Sequence, residues 1–146
     1  MSQPPTPQQT AETVRELMFA SDRATRALGI EVTAIAPGHA TLTMTVREDM
    51  LNGHATCHGG LIATLADSAF AFACNSYNEM TVASGFSIDL IAPARFGDVL
   101  TAQCGEVAKK GRSGLYDTLV TNQHGERIAA FRGRSHTIQG KAAVTA

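Results

Sequence analysis

Apolar and polar residues follow two rhythms along this chain. From His58 or Gly59 to about Asn78, the positions Leu61, Ile62, Leu65, Ala66, Ala69, Phe70, Phe72, Ala73 and Cys74 point in nearly every direction around a helical axis. A helix that is apolar all round is a buried helix. Elsewhere the rhythm is that of strands. Ala40, Leu42, Met44 and Val46 alternate with Thr41, Thr43, Thr45 and Arg47, the period of a half-buried strand. A short β-branched stretch, residues 30–35, precedes it, with Pro37-Gly38 as the turn between. Four more strands are expected over residues 82–91, 99–108, 115–121 and 127–138. Their breaks are Pro93 with Gly97-Asp98, Gly111 with Gly114, and His124-Gly125, and the short links favour antiparallel hairpins.

Ahead of all this, Val14, Leu17, Met18, Ser21, Thr25 and Leu28 recur at helical spacing, predicting one helix over residues 10–28 that Gly29 stops. Its face is only partly apolar, which suits a surface helix. Residues 1–9 are polar with three prolines and are expected to be disordered; residues 10–140 form a single domain and 141–146 a flexible C-terminus. The order helix, two strands, long helix, four strands predicts an α+β fold in which an antiparallel sheet curves around the one apolar helix.

Composition narrows the function. The 146 residues suffice for one domain, and 44% hydrophobic content supports an ordinary core. A net charge of −1 with no long basic run argues against nucleic acid as partner. The densest basic cluster, Lys109, Lys110 and Arg112 around Gly111, reads most simply as a solvated turn. The N-terminus lacks the basic and apolar regions of a signal peptide, and no apolar run approaches the roughly 20 residues of a membrane span. Three cysteines are too few and too odd in number for a disulfide framework, so a reducing cytoplasm is expected.

Against this background one residue is out of place. Asp67 is the only charge between Gly59 and Asn78. Burying an unpartnered carboxylate costs several kcal/mol or raises its pKa. Asp67 is either a structural residue bonded to Ser68, Thr64 or the backbone, or a functional one. The start of the same helix bears on the choice. Gly59-Gly60 puts two unobstructed amides at a helix N-terminus, where unpaired N–H groups suit an oxyanion or a polarised carbonyl; a plain tight turn is the simpler reading. Eight residues separate Gly59 from Asp67, ~12 Å along the axis. They cannot both touch one carbonyl within a single subunit. Two helices running antiparallel could bring the N-terminus of one to the middle of the other, so joint catalysis requires a two-fold dimer with two composite sites.

Other candidates lie close by. His54, Cys57 and His58 do not match a strong zinc signature, and no metal is expected. Cys57 beside His58 could be a nucleophile at a helix N-terminus, but no elbow motif supports it. Asn52 and His58 read as polar groups at the mouth of a pocket, or as loop caps.

The segment MLNGHATCHGGLIATLADSAFAFACNS resembles the hotdog-fold acyl-CoA thioesterases of the PaaI type. The similarity continues through SIDLIAPARFGD and GLYDTLVTNQHGERIAAFRGRSH and covers residues 18–140, roughly. The combination of HGG, LAD and FRGRSH is far more specific than HGG alone. The resemblance implies a long helix wrapped by a curved antiparallel sheet, homodimers joined edge to edge, and commonly homotetramers. It implies Gly59 as the amide that polarises the thioester carbonyl, Gly60 as a substrate-binding neighbour, and Asp67 of the neighbouring subunit as general base or nucleophile. Asn52 and His58 match positions lining that site. CoA is part of the substrate and no further cofactor is implied. Lys109, Lys110 and Arg112 become candidates for the CoA phosphates, with Arg132 and Arg134 behind them. One departure is an absent arginine at Ala92, where many relatives read Leu-Arg-Pro; Arg95 stands two residues beyond Pro93. The expected reaction is hydrolysis of aryl-acetyl or hydroxyphenylacetyl CoA thioesters. The rivals are a hotdog hydroxyacyl-CoA dehydratase using His58 and a non-catalytic acyl-CoA binding dimer.

Overall fold

The computed structural model describes residues 1–145. Helix α1 runs Pro7–Ser21 and α2 Arg23–Ala27. The single helix expected over 10–28 is therefore two, and it starts earlier. Thr6 accepts a hydrogen bond from the Gln9 N–H while Gln9 accepts one from the Thr6 N–H, a reciprocal cap with Pro7 at the first helical position. Residues 7–9, assigned on sequence to the tail, are thus the first turn of α1. The break falls at Asp22, whose carboxylate accepts from the Thr25 N–H at 3.0 Å and so starts a new helix rather than continuing the old one.

Strands β1 (Glu31–Ala36) and β2 (His39–Thr45) precede helix α3 (Gly59–Asn75), and β3 (Thr81–Leu90), β4 (Val99–Lys110), β5 (Ser113–Thr121) and β6 (Arg127–Thr137) follow it. They form one antiparallel six-stranded sheet in the order β1-β2-β4-β5-β6-β3. Every other residue of β2, β4, β5 and β6 faces α3. Leu42, Met44, Leu100, Ala102, Tyr116, Val120 and Phe131 close over Leu65, Ala66, Ala69, Phe70, Phe72 and Ala73. Phe70 lies at 5.5 Å from the Tyr116 ring and 5.8 Å from Phe131, over Gly133, where a Cβ would come within 2.8 Å of the Phe70 ring. This is the sheet wrapped around a helix that the chain's two rhythms predict.

Helix α3 departs from expectation at its end and on one face. It stops at Asn75, three residues before the expected Asn78, which takes a left-handed φ of 59°. It is also not buried all round. Gly60, Ala63, Thr64, Asp67 and Ala71 form a stripe of mostly small side chains at helical spacing that its own sheet leaves uncovered or half-covered. β3 matches that opening. It is an edge of the sheet, ten residues long, with Phe86 and Leu90 largely exposed. The C-terminal stretch, read from sequence as flexible, lies along the α3–β3 loop. The Val144 N–H donates to Asn78 Oδ1 at 2.9 Å, and the Lys141 carbonyl accepts from the Met80 N–H. Ala146 lies outside the described residues. Among the described residues no helix is long and apolar enough to cross a membrane.

Candidate active site

The N-terminus of α3 is assembled by backbone contacts from two distant segments. The His58 N–H donates to the Met50 carbonyl at 2.8 Å and the Cys57 N–H to the Ala94 carbonyl at 2.7 Å, so the loop before the helix is pinned to the segment after β3. A cavity of about 290 Å³ opens where they meet. Its apolar wall is Ile62, Leu90, Ile91, Ala92 and Pro93; Asn52, Thr56, Cys57 and Gly59 complete it.

The first-turn amides are unequal. The Gly60 N–H donates to His58 Nδ1 at 3.4 Å, and those of Leu61 and Ile62 to the His58 carbonyl. The Gly59 N–H has no acceptor among the described residues, which leaves one free donor at the positive end of a 17-residue helix, at the cavity wall. His58 is therefore a cap. Its Nδ1 is the acceptor of that cap.

Asn52 divides its two ends. Its Oδ1 accepts from the N–H groups of His54 (2.9 Å) and Thr56 (3.3 Å) and from the Thr56 hydroxyl, so loop capping uses the carbonyl. Its Nδ2 has no partner among the described residues. Cys57 does not suit the role of nucleophile: burial pushes its thiol pKa up, outweighing any benefit from the helix N-terminus. His54, Cys57 and His58 form no metal cluster; among the described residues no three His, Cys, Asp or Glu side chains are grouped to hold an ion.

Asp67 lies on the uncovered stripe of α3, outside this cavity. Desolvation raises its pKa above the ordinary 3.8. The structural partners considered for it are engaged elsewhere. Thr64 donates its hydroxyl to the Gly60 carbonyl, and Ser68 donates to the Thr64 carbonyl at 2.7 Å. The Asp67 carboxylate accepts no hydrogen bond among the described residues.

The fold thus brings together Asn52, His58, Gly59 and Gly60, and leaves Asp67 and the basic cluster elsewhere. Lys109 and Lys110 end β4 and Arg112 lies in the β4–β5 turn after Gly111 (φ 60°), an exposed hairpin end. Lys109 sits 4.2 Å above the Tyr77 ring and pairs with Glu79, and Arg112 donates to Gln139. That turn adjoins the C-terminal end of α3, a full helix length of ~25 Å from Gly59 in the same chain. Arg132 faces away from α3 on the convex side of the sheet, held by Asp117 through two hydrogen bonds of 2.7 and 2.8 Å; strand alternation sends Arg134 the same way. Arg95 sits at the cavity's edge, where its backbone pairs with Thr56, and its guanidinium has no partner among the described residues. Sequence reasoning missed Leu90 and Ile91 as part of the cavity. The available signal was their place at the end of an apolar strand before Pro93.

Comparison with known proteins agrees with this architecture. The profile of the Thioesterase superfamily matches residues 54–129. Acyl-coenzyme A thioesterase PaaI of Escherichia coli (strain K12) is 46% identical over 124 residues, 84% of this chain and 88% of that protein. The solved structure of the E. coli PaaI protein superposes with a TM-score of 0.91 at 41% identity, over 93% of this chain and 99% of that one. A variant of the phenylacetic acid degradation protein PaaI from Thermus thermophilus superposes at 0.77 with 36% identity, over 80% of this chain and all of that one. The chain belongs to the thioesterase superfamily, as a hotdog-fold acyl-CoA thioester hydrolase of the PaaI type.

Proposed function

We propose that the enzyme hydrolyses aryl-acetyl CoA thioesters, phenylacetyl or hydroxyphenylacetyl among them, at two composite sites of a homodimer. The observation that carries the mechanism is the pairing of two unsatisfied groups on one helix: a free Gly59 amide at its end and a desolvated, unbonded Asp67 carboxylate on its uncovered stripe. Each lacks what the other offers, and ~12 Å of helix keeps them apart within a chain. Packing the stripe against the same stripe of a second copy, antiparallel, sets Gly59 of one subunit opposite Asp67 of the partner subunit. The exposed edge of β3 supports the same dimer, since an unpaired apolar edge strand is a template for a second strand. Two such dimers joined would make the homotetramer that the resemblance implies.

In this site the Gly59 N–H and the helix dipole draw on the thioester carbonyl oxygen and hold the charge that develops there. Asp67 of the partner subunit takes a proton from water, whose oxygen attacks the carbonyl carbon; collapse of the intermediate breaks the C–S bond and releases CoA as thiolate, which regains a proton. Direct attack by the Asp67 carboxylate would form an anhydride that water then opens. Asn52 Nδ2 offers a second donor at the site. His58 spends its Nδ1 on the helix cap, which argues against the dehydratase reading that would use it as the base. A binder without catalysis has no use for an unsatisfied carboxylate.

The antiparallel register also bears on CoA. Setting Asp67 of one helix against Gly59 of the other puts residue 75 of one level with residue 51 of its mate. The β4–β5 turn of the partner subunit then approaches the Asn52 loop, which makes Lys109, Lys110 and Arg112 of the partner subunit candidates for the CoA phosphates, beside Arg95 of the same chain. Aryl-acetyl preference is supported by the identity with PaaI proteins and by the apolar cavity wall. A thiol-release assay over a panel of acyl-CoAs tests it. Phenylacetyl-type thioesters should give the highest kcat/KM; an equal or higher value for simple alkanoyl-CoAs would overturn the preference.

A further inference from the structure

Gly59 does not take a positive φ, so nothing in its backbone conformation demands glycine. The demand comes from a neighbour. A Cβ at position 59 would lie 2.6 Å from Leu90 Cδ1, well inside contact distance. At Gly60 the nearest atom, His58 Nδ1, is 3.6 Å away, an ordinary contact. Of the two glycines only Gly59 has its side-chain space already occupied. The occupant is itself out of place, for Leu90 ends β3 with 54% of its surface exposed and adds little to the core. It lines the same cavity as Gly59, with Ile62, Ile91, Ala92 and Pro93.

We propose that Leu90 is a specificity-determining residue that sorts acyl groups by branching at the α-carbon. The inference rests on the reading of Gly59 as the carbonyl-binding amide. A thioester oxygen at ~2.9 Å from the Gly59 nitrogen places the carbonyl carbon and its α-carbon beside the Gly59 Cα. The Leu90 methyl touches that same region. An α-CH2 carrying a flat ring farther out passes along a leucine methyl, whereas a second carbon on the α-position meets it. One methyl group in a tight apolar pocket is worth about 10- to 200-fold in kcat/KM. The chemical class selected is therefore the α-unbranched acyl thioester, aryl-acetyl included.

The experiment compares pairs of substrates that differ by one α-methyl: phenylacetyl-CoA against 2-phenylpropionyl-CoA, and butyryl-CoA against 2-methylbutyryl-CoA. The wild type should disfavour the branched member of each pair by about tenfold or more, and Leu90→Ala should narrow both ratios by about tenfold. Leu90→Val, a smaller change, should move them in the same direction, and light scattering confirms that each variant keeps the wild-type assembly. Ratios unchanged in both variants overturn the proposal. A second arm uses Gly59→Ala, which keeps the N–H. It should lose about 100-fold in kcat/KM, and Gly59→Ala/Leu90→Ala should regain about tenfold, because the obstruction is gone. A double variant no better than Gly59→Ala alone overturns the proposal. Gly59→Pro/Leu90→Ala, which removes the N–H in a background where the new Cβ no longer meets the Leu90 methyl, separates the two readings: activity equal to that of Leu90→Ala sinks the role of the amide, and leaves the branching ratios to judge Leu90.

Discussion

The two ends of α3 are built on opposite principles. At the C-terminal end the polar side chains are tied to the sheet. Asn75 accepts from the Thr81 N–H and donates to the Thr81 and Ala71 carbonyls, at 2.8 to 3.0 Å. Ser76 accepts from the Gly38 N–H and donates to the Ala73 carbonyl. Tyr77 and the buried Tyr116 both donate to Glu106 Oε1, at 2.9 and 3.1 Å. At the N-terminal end the Gly59 amide, the Asn52 amide nitrogen and, two turns on, the Asp67 carboxylate have no partner among the described residues, and Leu90 stands exposed. One end locks the helix to its sheet; the other holds unsatisfied groups for a substrate and a second subunit. Damage to the first should cost stability with activity per folded molecule kept, and damage to the second the reverse.

Asp67→Asn should show the largest effect: a fall in kcat of about 10³-fold or more, with no loss of folding stability. If the variant keeps full activity, Asp67 is not the base or nucleophile. Single-turnover hydrolysis in H2(18)O sharpens its role, since direct attack followed by water opening the anhydride at the Asp67 carbonyl leaves an Asp67 oxygen in the first product acid, whereas base catalysis puts solvent oxygen there. Gly59→Pro should follow, at about 10²-fold or more in kcat, from the loss of one oxyanion donor together with a Cβ that meets Leu90. Proline suits the backbone of a first helical position and its Cβ meets only the exposed Leu90 side chain, so thermal unfolding should change less than activity. At the other end, Asn75→Ala strands the backbone groups of Thr81 and should cost about 2–3 kcal/mol in denaturant unfolding, with kcat unchanged at temperatures where the protein stays folded. Glu106→Gln should cost about 1 kcal/mol or less, because an amide oxygen can still accept both tyrosine hydroxyls.

The pH dependence follows from Asp67. Its folded-state pKa is raised by desolvation, so the acid limb of kcat/KM should have its midpoint above 3.8. Linkage has a definite sign. A carboxyl whose pKa is raised on folding adds stability below its unfolded value, and that stability is lost as pH rises through the folded value. Wild type and Asp67→Asn should therefore be matched well below pH 3.8 and diverge at neutral pH in favour of the variant. A wild type that is the more stable of the two at pH 7 would mean that Asp67 has a structural partner after all.

These two ends were not equally legible in the sequence. The apolar run of α3 and the alternation of β2 announce themselves locally, and Asp67 stands out because nothing charged surrounds it. Capping chemistry was harder to see. The break at Asp22 depends on one carboxylate preferring the Thr25 amide to solvent, and the early stop at Asn75 on a side chain that bonds a strand six residues on. The cavity was harder still. Its wall pairs Ile62 with Leu90 and Ile91, nearly thirty residues apart, and only the pinning of Cys57 to Ala94 brings them together. The basic turn was visible as a cluster, but its distance from Gly59 depends on which end of α3 the β4–β5 hairpin reaches, which composition does not encode.

The claim that each site is built from two chains has a direct test by complementation. Asp67→Asn and Gly59→Pro are each expected to be inactive as homodimers. Denatured together in equal amounts and refolded, they form mixed dimers in which one site has an intact Gly59 and, from the partner, an intact Asp67. The account predicts recovery of about one quarter of wild-type activity, since about half the dimers are mixed and each carries one working site. A mixture no more active than its separate components, with mixed dimers demonstrated by native mass spectrometry, would contradict it.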